Sequence, residues 1–166
     1  MKGIVIILLI ACIIVGAAIG YFLKPEIDQA AENIVHAVDF SGYVPLDIKI
    51  IGTNVRLSAE CRAINFDITE DQALSIAKAM NMTSTPRPLP HDVFSDIIEN
   101  FQIRHIASKI DRYEDRIYMA HMIFQSSNNV LEIDARPSDT IAISLRTGTK
   151  VYMDRKILEE TGEKTC

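Results

Sequence analysis

The chain opens on an unbroken apolar run and then changes pattern. Gly3 to Leu23 contains no charged and no strongly polar side chain. Wound as a helix, its 21 residues reach roughly 31 Å, close to the hydrocarbon thickness of a bilayer. Lys2 and Lys24 bracket the run, where their stems snorkel to the headgroups. Tyr21 occupies an interfacial position favoured by aromatics, and Pro25 stops the helix. The pattern predicts a single-pass membrane anchor over residues 1–24. Three rivals stand beside it, one of them a buried core helix, which would not be apolar all round at the extreme N-terminus. A cleaved signal peptide also begins with Met-Lys, but its apolar core is shorter and GAAIG offers no clear cleavage site. Leu9-Ile10-Ala11-Cys12 resembles a lipobox, yet most of the apolar run follows Cys12. Gly16 and Gly20 form a GxxxG pattern that lets two such helices pack, although small residues are common in membrane helices anyway.

Beyond the anchor the periodicity becomes that of a folded domain. Ile27, Ala30, Ala31, Ile34, Val35 and Val38 form a helical stripe, read as a stalk over residues 25–44 that Ser41-Gly42 and Pro45 break. Alternation over Leu46–Ile51, Val55–Leu57 and Cys61–Ile68 predicts three strands, with Gly52-Thr53-Asn54 as a turn. Thr69 and Gln72 form a capping box for a helix from Glu70 to about Asn81 that turns Ala73, Leu74, Ile76, Ala77 and Met80 inward. A proline-rich connector, Thr83–Pro90, leads to a helix over His91–Asn100 with an apolar stripe of Val93, Phe94, Ile97, Ile98 and Phe101. Ile103–Asp111 and Arg116–Phe124 alternate around a turn and predict a hairpin. Val130–Ala135 is a further strand. Pro137 opens a helix that Gly148 closes. Val151–Met153 and an Asp154-capped helix to Glu160 complete the order βββααβββαβα. Runs of strands without strict alternation make this an α+β domain over residues 45–166, with a mostly antiparallel or mixed sheet and three to four helices.

Charge narrows the function classes. In residues 25–166, 15 Lys and Arg face 22 Asp and Glu, a net −7. This argues against a broad electrostatic grip on nucleic acid but leaves room for a local basic site. Lys2 and Lys24 tie the positive-inside count, and the free N-terminal amine tips it slightly towards a cytoplasmic N-terminus. The side of the soluble domain stays open. Cys12 lies in the span, and Cys61 and Cys166 are too few for a disulfide framework.

Three stretches carry candidate chemistry. In Arg87-Pro88-Leu89-Pro90-His91-Asp92, His91 titrates near neutrality and suits a general base or metal ligand. The structural alternative has Asp92 complementing a helix dipole. In Glu132-Ile133-Asp134-Ala135-Arg136-Pro137-Ser138-Asp139, Glu132 and Asp134 share a strand face and Asp139 follows in the first helical turn. Three such carboxylates suit Mg²⁺ or Mn²⁺, and Arg136 suits a phosphate. The structural alternative is capping and a salt bridge. Arg146-Thr147-Gly148-Thr149-Lys150 is a basic turn able to touch phosphate, and equally an ordinary helix C-terminus. His36, His105 and His121 show no ligand spacing.

EIDARPSDTIAISLR, continued by TGTKVYM, resembles the signature of the bifunctional nuclease domain family. RPLPHDVFSDII is similar to that family's RPLTHDL segment, with Pro90 where Thr is usual, and QALSIAKAM sits where the family has an Ala-rich helix. The likeness runs from about Pro45 to Glu160, with Asn54–Asp67 fitting poorly and the anchor lying outside the family pattern. It implies a compact α+β fold, self-association, and DNase and RNase activity. Its motif positions here are Arg87, His91, Asp92, Glu132, Asp134, Arg136, Ser138 and Asp139. The expectation is a membrane-anchored nuclease hydrolysing DNA or RNA. His91, Asp92, Asp134 and Asp139 would be catalytic, Glu132, Asp134 and Asp139 would hold a divalent metal, and Arg87, Arg136 and Arg146 would hold substrate. The alternative is a non-catalytic, homo-oligomeric ligand- or protein-binding module at the bilayer.

Overall fold

Short alternating segments joined by two-residue turns give most of this chain its form. The computed structural model describes residues 38–127 and 129–166, together with Cys12 and Val15. Apart from those two residues, the predicted span and the stalk before Val38 lie outside the described residues. Among the described residues no helix is long and apolar enough to cross a membrane. A compact unit covers Phe40–Cys166. Its elements are β1 (Tyr43–Pro45), β2 (Asp47–Ile51), β3 (Asn54–Ala59), β4 (Arg62–Asp67), α1 (Glu70–Ala79), α2 (Pro90–Asn100), β5 (Arg104–Glu114), β6 (Ile117–Ser126), β7 (Asn129–Ala135), α3 (Pro137–Thr147), β8 (Val151–Asp154), α4 (Arg155–Thr161) and β9 (Glu163–Lys164).

The strands form two sheets, β1-β8-β5-β6-β7 and β2-β3-β4-β9. The pair β5–β8 is parallel and the others are antiparallel, giving the expected α+β class with a mixed sheet. The predicted hairpin is present, its turn residues Asp115 and Arg116 both at positive φ (50° and 65°). That conformation matches the twist of the paired strands. Glu60 and Cys61 repeat it between β3 and β4, at 47° and 62°. Cys61 is therefore a turn residue and not the start of the third predicted strand. It is disulfide-bonded to Cys166 with Cα atoms 5.2 Å apart. This corrects the reading of the cysteines as uninformative. Two cysteines far apart in sequence carry no pairing signal, and their meeting depends on β9 returning to the edge of β4.

α1 begins as predicted. Thr69 Oγ1 accepts from the Gln72 amide, and the Gln72 side chain accepts from the Thr69 amide. Its inward set differs: Ser75 is 2 % exposed, while Leu74 faces solvent at 38 %. In α2 only Ile98 is buried and Phe94 half-buried, whereas Val93, Ile97 and Phe101 are exposed, Phe101 at 72 %. α2 lies at the margin of the helical layer against α3 and β5, so only one flank of its wide apolar stripe is covered. α3 is the central helix, packed against α1, α2, β5 and β6, and Ser138, Thr140–Ser144 are buried. Pro137 opens it, and Gly148 closes it at φ 70°, where glycine has no Cβ penalty. Leu57, Ile76, Ile110, Ile141, Met153 and Leu158 are almost wholly buried, tying both sheets and the helices into one core. Each contributes roughly 1.5–3 kcal/mol of gross burial energy.

Candidate active site

The N-terminal ends of α1, α2 and α3 meet. Thr69, Gln72 and Ser75 from the first, Leu89, Pro90 and His91 from the second, and Arg136, the N-cap of the third, line one pocket of about 440 Å³. Each helix start carries the positive end of its dipole, and these three ends and the Arg136 guanidinium are set against the Asp71 carboxylate, which also lines the pocket.

A hydrogen-bonded chain crosses the pocket wall. His91 Nδ1 lies 2.8 Å from Ser75 Oγ, and His91 Nε2 lies 3.3 Å from Asp139 Oδ1. Arg136 donates to both oxygens of Asp139, from Nε at 2.8 Å and Nη2 at 3.1 Å. With its proton on Nε2, His91 donates to Asp139 and accepts from the Ser75 hydroxyl, so every member has a partner. The Arg136 side chain is 70 % exposed. Asp139 hydrogen bonds and charge hold the Arg136 proton more firmly than usual.

Next to this chain Asp92 is held on all sides. Oδ2 accepts from Lys78 Nζ and from the Leu89 amide, both at 2.6 Å, and Oδ1 accepts from Arg146 Nε at 2.9 Å. Burial pushes the carboxyl upward, but the hydrogen bonds from Lys78, Leu89 and Arg146, with the Arg146 charge, outweigh it and lower its pKa to about 2. This knot joins all three helices and fixes where His91 stands.

The other predicted residues lie elsewhere. Glu132 and Asp134 share a face of β7, and Glu132 Oε1 is 3.0 Å from His121 Nε2, whose Nδ1 is 3.0 Å from Asp111. On β6, His121 points away from Met122 and Phe124, which pack with Ile143 of α3. Glu132 is therefore on the sheet face opposite Asp139, and Asp134 is exposed. Among the described residues no three His, Cys, Asp or Glu lie where they could hold a metal ion. The donor set expected for Mg²⁺ or Mn²⁺ does not converge, and no step below runs through a metal. Arg87 is exposed outside the pocket, its carbonyl accepting from Thr85. Ser138 is buried at the start of α3. Arg146 is bound to Asp92, and its Nη1 donates to the Ala142 carbonyl.

Sequence reasoning missed two residues. Ser75 lies outside the inward set predicted for α1, and its spacing carried no signal of burial. His105, read as ordinary, lies between Thr147 Oγ1 at 2.8 Å and Ser108 Oγ at 3.1 Å. Burial lowers its pKa to about 4, only partly offset by a hydrogen bond with the Ala107 backbone.

Two uncharacterized proteins of Mycobacterium tuberculosis, one from each of two strains, are 30 % identical to the chain over 95 residues. The match covers 57 % of this chain, which spans about half the length of those relatives, 56 %. A family model described as the bifunctional nuclease domain matches residues 56–165, nearly all of the folded unit and both motifs above. The chain belongs to the bifunctional nuclease domain family.

Proposed function

We propose that the three-helix pocket binds a phosphodiester of DNA or RNA and hydrolyses it. The observation that carries this reading is the meeting of three helix N-termini with Arg136 beside the Ser75–His91–Asp139 chain. The phosphate sits at the positive helix ends, where Arg136 leaves Asp139 to meet its developing charge. A water at the pocket floor gives a proton to Ser75 Oγ as Ser75 passes its own to His91 Nδ1. The resulting hydroxide attacks phosphorus, the bond to the leaving oxygen breaks, and that oxygen takes a proton from His91. Asp139 holds the ring and stabilises the transient imidazolium. Asp92 has a positioning role, through Lys78 and Arg146.

The test is cleavage of single-stranded DNA and RNA by the full chain in detergent. His91→Ala should slow it by roughly 10²–10⁴, with unchanged circular dichroism. Cleavage at the wild-type rate by that variant would overturn the proposal.

A second reading has one observation behind it. Val93, Ile97 and Phe101 form an exposed apolar stripe on α2, as an assembling, non-catalytic module requires. No detectable hydrolysis by the wild type, together with self-association lost in Phe101→Ser, would favour it.

The disulfide supports a reading of the place of action. Such bonds persist in oxidising compartments, so the Cys61–Cys166 bond supports a domain outside the cytoplasm, tethered by the predicted Gly3–Leu23 span. Protection of the domain from protease added to intact cells would contradict this.

A further inference from the structure

The three-helix pocket holds one carboxylate that the hydrolytic chain does not use. Asp71 lines it together with Arg136, His91 and Ser75. It stands four residues before Ser75 on α1, so the two side chains are neighbours on one face of the helix, one turn apart. Thr69 and Gln72 spend their side-chain oxygens on each other's amides, and His91 is taken at both ring nitrogens. Asp71 is exposed and has no hydrogen bond or ion pair among the described residues. The dipole of α1 does not call for a carboxylate in the pocket, since Glu70 serves the same turn from outside the lining.

A carboxylate beside a phosphate site repels every nucleic-acid strand, and only a hydrogen-bond donor on the strand offsets that repulsion. Within a strand, the backbone of DNA has no such donor, because phosphodiester and deoxyribose offer oxygen acceptors alone. The backbone of RNA has one per nucleotide, the 2′-hydroxyl. That hydroxyl lies one carbon from the 3′ oxygen that bears the phosphate, so it comes wherever the phosphate comes. The rest of the lining includes an apolar wall of Leu74, 38 % exposed, with Leu89 and Pro90. Such a wall meets the C–H face of a sugar without competing for its hydroxyl.

We propose that Asp71 accepts a hydrogen bond from the 2′-hydroxyl of the nucleotide whose 3′ oxygen bears the scissile phosphate, and so makes this pocket prefer RNA to DNA. It rests on the reading of the three-helix pocket as a phosphodiester site. Arg136 and the helix starts hold the phosphate, Asp71 holds the adjoining sugar, and Leu74, Leu89 and Pro90 back it. No proton of the hydrolysis passes through Asp71. DNA stays a substrate and binds more weakly.

Calorimetric titration of the full chain in detergent with adenosine 3′-monophosphate, its 2′-deoxy and 2′-O-methyl forms, and inorganic phosphate tests it. The three nucleotides carry the same base, so a base contact cannot produce a difference among them. The ribonucleotide should bind about tenfold more tightly than both analogues, the size of one hydrogen bond to a charged acceptor. Asp71→Ala should abolish the preference, weakening the ribonucleotide and tightening the deoxy form and phosphate as the repulsion goes. Glu70→Gln, which removes the same charge from the same turn off the lining, should keep the preference. Equal affinity of wild type for the ribo and deoxy forms, a preference that survives Asp71→Ala, or loss of all binding in that variant, phosphate included, overturns the assignment. These readings need no cleavage, so they separate from the His91→Ala result. Phosphate binding without ribose preference removes the role of Asp71 and leaves the phosphodiester site standing, whereas wild type binding neither phosphate nor any nucleotide removes both.

Discussion

Replacing Asp92 with Asn tests whether the three-helix knot holds the site together. In the folded chain the Asp92 carboxyl titrates at about 2, against 3.8 when unperturbed. At about 1.36 kcal/mol per unit, that difference corresponds to about 2 kcal/mol of stability near neutral pH. Its side chain is only 19 % exposed, so solvent screening removes little of it. Asn also leaves the Arg146 guanidinium, 8 % exposed, without its counter-charge, and an uncompensated buried charge costs about 3–5 kcal/mol when isolated. Both figures describe the same lost pairing and do not add, so the expected total is about 2–4 kcal/mol. The pH dependence has a definite sign. A depressed carboxyl stabilises the fold fully above the unfolded value and loses that stability as pH falls from about 4 through about 2. Urea unfolding followed by circular dichroism should show wild type losing about 2 kcal/mol across that window through this group. Asp92→Asn should lack that component and start lower at pH 7. A variant within 0.5 kcal/mol of wild type at pH 7 would refute the reasoning.

Further outcomes follow from other groups. His105 is neutral in the fold, its pKa lowered from 6.5 to about 4. Stability present above pH 6.5 should fall by roughly 3 kcal/mol as pH drops towards 4, and thermal melts at pH 7 and pH 5 should show His105→Gln with a flatter dependence. Breaking the Cys61–Cys166 bond, which spans 105 residues of sequence, with Cys61→Ser should cost about 2–4 kcal/mol; a reducing agent should lower the melting temperature of wild type but not of the variant. Glu132→Gln and Asp134→Asn lie on the far face of the sheet from His91, so cleavage should stay within about threefold of wild type, measured under the same assay. Gly148→Ala, at φ 70°, should destabilise by about 1 kcal/mol in urea unfolding.

Local signals were readable from the chain, and tertiary ones were not. The Thr69–Gln72 box, Pro137 and Gly148 act within one helical turn, so their sequence and structural meanings coincide. The β5–β6 hairpin was equally legible, because alternation and turn residues are local. Leu74 and Ser75 exchanged their expected places because a helix's buried arc depends on its neighbours: α3 reaches across to the Ser75 side. The exposed Val93, Ile97 and Phe101 show the same limit, since a broad apolar stripe does not reveal how much of it a partner covers. The site divided for a related reason. Period two placed Glu132 and Asp134 on one face of β7, but which face the helices cover is a property of the sheet. His91, Asp139 and Arg136 were named from their chemistry, while Ser75 and the Cys61–Cys166 pair needed chain ends and helices brought together across long separations.

The central claim is that Ser75 and His91 act through one proton. Single-turnover cleavage by Ser75→Ala, His91→Ala and the double variant tests it most directly. If both serve one transfer, the double variant should be no slower than the slower single variant, as groups acting as a unit show non-additive losses. Losses that multiply across the two positions, or singles that cleave as fast as wild type, would contradict the account.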